Sequence, residues 1–153
     1  MQFYLGSDHG GIEMREQLSQ RLVHWGHEVL NTFGPAESGV SVDYPDVASE
    51  LCHALLQSSS TDKPVFGVLI CGTGQGMAIA ANKIPGIRAG VVSDCVSAQM
   101  IREHNDANVI CLGQRVLGSE LAALVLKNFV DSAFAGARHA KRVEKINALG
   151  RAI

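Results

Sequence analysis

The stretch VFGVLICGTGQGMAIAANK, residues 65–83, sets the fold class. Val65 to Ile70 is apolar and rich in β-branched residues, broken only by Gly67, the pattern of a strand buried on both faces of a parallel sheet. Cys71 stands where that strand ends. Gly72, Gly74 and Gly76 make a flexible turn, and Met77-Ala78-Ile79-Ala80-Ala81 has the small, helix-favouring residues of a helix packed closely on the sheet. Such a turn leaves backbone N–H groups without intrahelical partners, and with the helix dipole they favour a phosphate, a carboxylate or an oxyanion. The same positive end favours a thiolate at Cys71. Read alone, the turn also has a packing explanation: glycines let a helix approach a sheet, and a cysteine at a strand end is often a small buried hydrophobe. A dinucleotide fingerprint is the weaker reading. Asp94 does follow Gly74 by 20 residues, but Met77 replaces the third glycine and the strand is not the chain's first.

Working outward, β and α signals alternate along the chain. Gln2–Gly6 reads as a strand, and Met14, Leu18, Leu22 and Trp25 mark one face of a helix ended by Gly26. His27–Thr32 is a second strand. A loop rich in Gly, Pro and Ser runs to Val42, after which Pro45 opens a helix with Val47, Leu51, Ala54 and Leu55 on its apolar face. Ser58–Lys63 is a polar loop into the central strand. Beyond the glycine turn come a strand at Ile87–Val92, a helix through Ala98–Arg102 and a strand at Asn108–Leu112. A helix at Ser119–Phe134 carries Leu121, Leu124, Val125 and Phe129, and a last one runs from about Arg138 to the C-terminus with Val143, Ile146 and Leu149 on its packing face. Strands alternating with helices predict an α/β fold: a three-layer α/β/α, Rossmann-like single domain over residues 1–153 with a five-stranded parallel sheet. Ligands in such sheets bind beyond the carboxyl ends of strands where the winding reverses, which places a crevice between Asp8-His9 and Cys71 if the first and third strands are neighbours. The order of the last two strands stays open.

Composition narrows the function. A length of 153 residues, 46% hydrophobic and 18% charged, is that of an ordinary soluble globular domain, and a net charge of −2 leaves no footprint for nucleic acid or an anionic membrane. No apolar run spans a bilayer, and the chain opens into a strand rather than a signal peptide, so a cytoplasmic location is expected. Cys52, Cys71, Cys95 and Cys111 show no C-x-x-C pairing, against a zinc site or a disulfide framework.

Polar, turn-forming segments supply the candidate site. Ser7-Asp8-His9-Gly10-Gly11 ends the first strand, and His104-Asn105-Asp106-Ala107-Asn108 leads into the fifth, so His104 must reach a site from a helix end or from another subunit. Two histidines in such contexts favour function over a structural role. Arg138 and Arg142, four apart, suit a phosphate dianion as a pair, or form a solvated basic face.

These segments resemble the type B ribose-5-phosphate isomerases, in the family shared with galactose-6-phosphate isomerase. The matching motifs are SDHGG (7–11), DYPD (43–46), CGTGQGMAIAANK (71–83), HNDANV (104–109), GQRV (113–116) and RHAKRVEKI (138–146). Together they cover nearly the whole chain. Some members carry a glutamate at the position of Met77 in place of the cysteine; with Cys71 present, the chain is similar to the cysteine-dependent branch. The resemblance implies interconversion of D-ribose 5-phosphate and D-ribulose 5-phosphate through a cis-enediolate. Cys71 would be the carbon base, Thr73 the hydroxyl that passes protons between sugar oxygens, and the N–H groups from Gly72 through Gly74 to Gly76 the oxyanion donors. His104 would open the ring, Asp8 orient the hydroxyls, and Tyr44 and Asn105 contact the sugar. His9, Arg115, Arg138 and Arg142 would hold the phosphate. It further implies no cofactor and no metal, a small phosphorylated sugar as partner, and a homodimer, or a dimer of dimers, with the site at the subunit interface. Four- and six-carbon phosphates are the alternative substrates, including galactose and allose 6-phosphates. Two more distant readings are a metal-dependent hydrolase using Asp8-His9 and His104-Asn105-Asp106, and a non-catalytic phosphate or nucleotide binder.

Overall fold

The computed structural model describes residues 1–37, 39–58 and 63–149. Its elements in chain order are β1 (Gln2–Ser7), α1 (Ile12–His24), β2 (Glu28–Phe33), α2 (Tyr44–Ser58), β3 (Val65–Cys71), α3 (Gln75–Ala81), β4 (Ala89–Val91), α4 (Cys95–Asn105), β5 (Val109–Gly113), α5 (Ser119–Asp131), a 3-10 turn (Ala137–His139) and α6 (Ala140–Ala148). The five strands form one parallel sheet in the order β2-β1-β3-β5-β4. The expected architecture is therefore present. The winding reverses between β1 and β3, where the crevice was expected. The open question of strand order is settled by burial: all five residues of β5 are buried and it lies inside the sheet, whereas β4 has three half-buried residues and takes the edge. Residues 59–62 of the polar loop, and the end of the terminal helix beyond Leu149, lie outside the described residues.

Alternation along β3 divides the core. Phe66, Val68 and Ile70 face α1, α4 and α5, where Leu18, Leu22, Ala98 and Phe129 pack. Leu69 and Cys71 face α2 and α3, among Leu51, Leu55, Met77 and Ala81. Alternation puts residue 67 on this second face too, and it is a glycine where a Cβ would come within 2.8 Å of the Leu51 side chain. Two helix faces differ from the sequence reading. In α5 Val125 and Phe129 are buried but Leu121 and Leu124 are 43% and 56% exposed, and the core is contacted instead by Ala122, Ala123, Leu126 and Val130. In α6 only Val143 is buried; Ile146 is 40% exposed, and Leu149, which caps the helix, is 75% exposed. The helical period identifies an apolar stripe, and among the described residues Val143 of that stripe is buried while Ile146 and Leu149 remain exposed.

The turn from α4 into β5 is clamped by charge. Asp106 accepts from Arg102 Nη1 at 2.8 Å and from Arg88 Nη2 at 2.9 Å. Arg102 is buried, donates also to the Ala107 carbonyl at 2.7 Å and lies over the Phe66 ring at 4.9 Å. Removing the carboxylate would leave a buried guanidinium without its counter-charge. Asp106→Ala is expected to lower unfolding free energy by about 3 kcal/mol. Asp106→Asn, which keeps an acceptor and tolerates the left-handed backbone, should cost less than half of that. Urea unfolding midpoints measure both, and equal losses would show that the charge is not what matters.

Candidate active site

At the edge where strands end, Ser7 of β1 pairs with Ile70 of β3, and the ladder continues as the Asp8 N–H donates to the Ile70 carbonyl at 3.3 Å. Asp8 therefore stands beside Cys71. Its Oδ1 accepts the Gly10 N–H at 2.8 Å, which fixes the carboxylate against its own loop. A Cβ on Gly10 would lie 3.4 Å from the Gly72 nitrogen, so the loops after β1 and β3 touch.

The glycine turn is shaped around the sulfur. Gly74 has φ 79°, and its N–H donates to Cys71 Sγ at 3.0 Å, a backbone donor of the kind that complements a thiolate. No side chain is accommodated there, since a Cβ would meet the backbone of Leu112 at 3.1 Å. The Gln75 N–H points to Thr73 Oγ1 at 3.4 Å. Tyr44, opening α2, lies on Gly76, where a Cβ would come 2.8 Å from its ring carbons. The Arg115 side chain crosses Gly72, with its Nε 3.4 Å from a Cβ built there, and its own N–H donates to the Gly72 carbonyl at 3.0 Å. One edge of the sheet thus gathers Asp8, Cys71, Thr73, the three glycines, Tyr44 and Arg115, with exposed His9 following Asp8. Of the other thiols in this core, burial pushes Cys52 up to about 12, and burial with its neighbours Cys52 and Cys71 raises Cys111 well above the ordinary range.

The remaining candidates gather at the opposite edge. His104 and Asn105 form the last turn of α4, before the Asp106 clamp and the start of β5. The segment after α5 returns to them: the Ala135 N–H donates to the Glu103 carbonyl at 2.9 Å, and the rings of His104 and His139 stack with centroids 4.2 Å apart at 5°. Arg138 and Arg142 flank His139 on the 3-10 turn and α6 and are exposed, while His139 is 6% exposed. β5 separates the two groups, and at about 3.3 Å per residue its four steps alone span roughly 13 Å. Within one chain the structure does not bring Cys71 and His104 together.

Sequence reasoning missed His139 and the Asp106 clamp. His139 lies inside the quoted RHAKR motif, but its signal is a ring contact with a helix 35 positions earlier. Asp106 reads in the sequence as part of a polar motif and a candidate metal ligand, and one of its partners, Arg88, is 18 positions away.

The ribose/galactose isomerase family profile matches residues 3–146. The chain is 41% identical over 144 residues to ribose-5-phosphate isomerase B of Escherichia coli, covering 94% of this chain and 93% of that protein. It is also 41% identical over 143 residues to the D-erythrulose-4-phosphate isomerase of Pectobacterium atrosepticum, covering 93% and 90%. Among solved structures, ribose-5-phosphate isomerase B of Clostridium thermocellum superposes with a TM-score of 0.87 at 44% identity over 96% of this chain and 95% of that one. The chain belongs to the ribose/galactose isomerase family of sugar-phosphate isomerases.

Proposed function

We propose that the protein interconverts D-ribose 5-phosphate and D-ribulose 5-phosphate through a cis-enediolate, with Cys71 as the carbon base. The observation that carries this reading is the Gly74 N–H aimed at Cys71 Sγ, in a turn that also presents Thr73 and abuts Asp8. After ring opening, the Cys71 thiolate takes the proton from C2, and the electron pair moves to make the C1–C2 double bond of the enediolate. Backbone donors of the turn stabilise the oxyanion, Thr73 shuttles a proton between O1 and O2, and Cys71 returns its proton to C1. Asp8 and Tyr44 orient the sugar.

We further propose that the site is completed by a second copy of the chain. It would bring His104 and Asn105 for ring opening and sugar contact, and Arg138 and Arg142 to join His9 and Arg115 around the phosphate. The separation of the two groups across the sheet and the exposure of the apolar Ile146 and Leu149 support this arrangement. The hydrolase alternative loses ground because both oxygens of Asp106 are taken by arginines. A tetrose phosphate substrate keeps one specific observation in its favour, the equal identity to the erythrulose-4-phosphate isomerase. Assay of four-, five- and six-carbon aldose phosphates separates these, and a ribose 5-phosphate kcat/KM below that of the tetrose would overturn the five-carbon reading.

Turnover of ribose 5-phosphate in D2O is expected to place solvent deuterium in product or in recovered substrate. Robust turnover without any wash-in would indicate hydride transfer instead.

Cys71→Ala is expected to reduce kcat by about 10²-fold or more with affinity nearly intact. Arg138→Ala and Arg142→Ala should chiefly raise KM, with a smaller loss of kcat. An arginine variant with unchanged KM would return that pair to a solvated helix face.

Composite sites also predict complementation. Inactive Cys71→Ala and His104→Asn chains, unfolded together and refolded, should recover about a quarter of wild-type activity, because half the dimers would carry one intact site of two. No recovery in a mixture shown to contain the mixed dimer would overturn the two-copy site.

A further inference from the structure

Deepening the reading that His104 opens the sugar ring, and resting on it, we infer that His139 is a positioning residue with two tasks: its ring face sets the plane of His104, and its Nε2 aims Arg138. The imidazoles lie 4.2 Å apart and only 5° from parallel, an overlap that restricts rotation of His104 about its last side-chain bond. The nitrogen has its own partner: Arg138 Nε lies 3.3 Å from His139 Nε2. A guanidinium has no acceptor, so Nε2 is the unprotonated nitrogen and the ring's hydrogen is on Nδ1. Burial, together with His104, Arg138 and Arg142 nearby, holds the His139 pKa below its ordinary value, consistent with a neutral ring that serves as acceptor and platform.

The backbone supports the same assignment. Gly136 and Ala137 have φ of 61° and 46°, and Asp106, two residues after His104, has 47°. Left-handed alanine is held only where its surroundings demand it. Here the result is a chain reversal that lets the Ala135 N–H pair with Glu103 and brings His139 onto His104.

The test exploits a difference between the two sugars. Ribose 5-phosphate is closed through O4 and must be opened. Ribulose 5-phosphate is acyclic because the oxygen that would close it is esterified, so exchange of its C1 proton with D2O needs the carbon base but no ring opening. Forward turnover and C1 exchange followed by proton NMR therefore separate the two steps. His104→Asn should lose forward turnover and keep exchange. If it loses both alike, the ring-opening assignment fails and this inference falls with it. With that control in place, His139→Gln, which lacks a ring, should lower forward kcat about 10-fold or more and leave exchange at saturating ribulose 5-phosphate within about twofold. His139→Phe, which keeps the ring but has no nitrogen, should retain forward kcat within about threefold and raise KM. Should His139→Gln fail to fold by urea unfolding, His139→Asn takes its place. Equal loss in both reactions, no loss in either, or a phenylalanine variant no better in kcat than the ringless one would overturn the assignment.

Discussion

Between Phe66 and Cys71, β3 is hydrogen-bonded to a neighbouring strand on each side and covered by helices on each face, so it can carry neither charge nor proline. That constraint decides where chemistry can begin. The first reactive atom along the strand is the sulfur at its exit, still 6% exposed. In-register pairing with β1 then brings Asp8 to the same point, and pairing with β5 sets Arg115 across the turn. Gly74, Gly76 and Gly113 each lie where another backbone or ring leaves no room for a Cβ, so the turn is a close fit to its surroundings rather than a flexible lid.

Parallel strands give the sheet two unlike ends, and the candidate residues divide between them. The end where strands finish carries the thiol, the hydroxyl, one carboxylate and Arg115. The end where they start carries two stacked imidazoles and two exposed arginines. On the proposed assignment the two sets are complementary: the first holds the carbon base Cys71, and the second holds His104, the group that opens the ring. Two copies related by a twofold axis would bring unlike ends together twice, and each contact would make one site.

How much of this was legible in the sequence depends on the range of the interactions. β3, its glycine turn and the position of Cys71 follow from local pattern, since a doubly buried strand and a tight turn constrain each residue in sequence. The crevice between Asp8-His9 and Cys71 followed from the winding rule only on the condition that β1 and β3 are neighbours. The order of β4 and β5 did not, because two short apolar runs look alike until one is seen to be buried throughout and the other half-exposed. Ile146, Leu149, Leu121 and Leu124 illustrate a second limit. Periodicity identifies which side of a helix is apolar but not whether the same chain covers it. Asp106 and His139 illustrate a third: their partners Arg88, Arg102 and His104 are found by tertiary packing, and the residues themselves read as ordinary members of polar motifs.

Among the described residues, the non-glycine positions with left-handed backbone are Asp106 and Ala137. Such conformations cost of order 1–3 kcal/mol each and persist only where other contacts outweigh them. For Asp106 the compensation is visible in two guanidinium partners. Ala137 has no polar side chain, and the bonds nearby are those that dock its neighbours, Ala135 to Glu103 and the His139 N–H to the Gly136 carbonyl at 2.9 Å. The two strained positions bracket the imidazole pair, one on each chain segment that supplies a ring. The Asp106 clamp, the ring stack and the Gly74 donor to sulfur are all formed within a single chain, so association of two copies would not have to order them. The conformational entropy of building each half is then lost at folding, and the free energy of association can go to closing the site around its substrate.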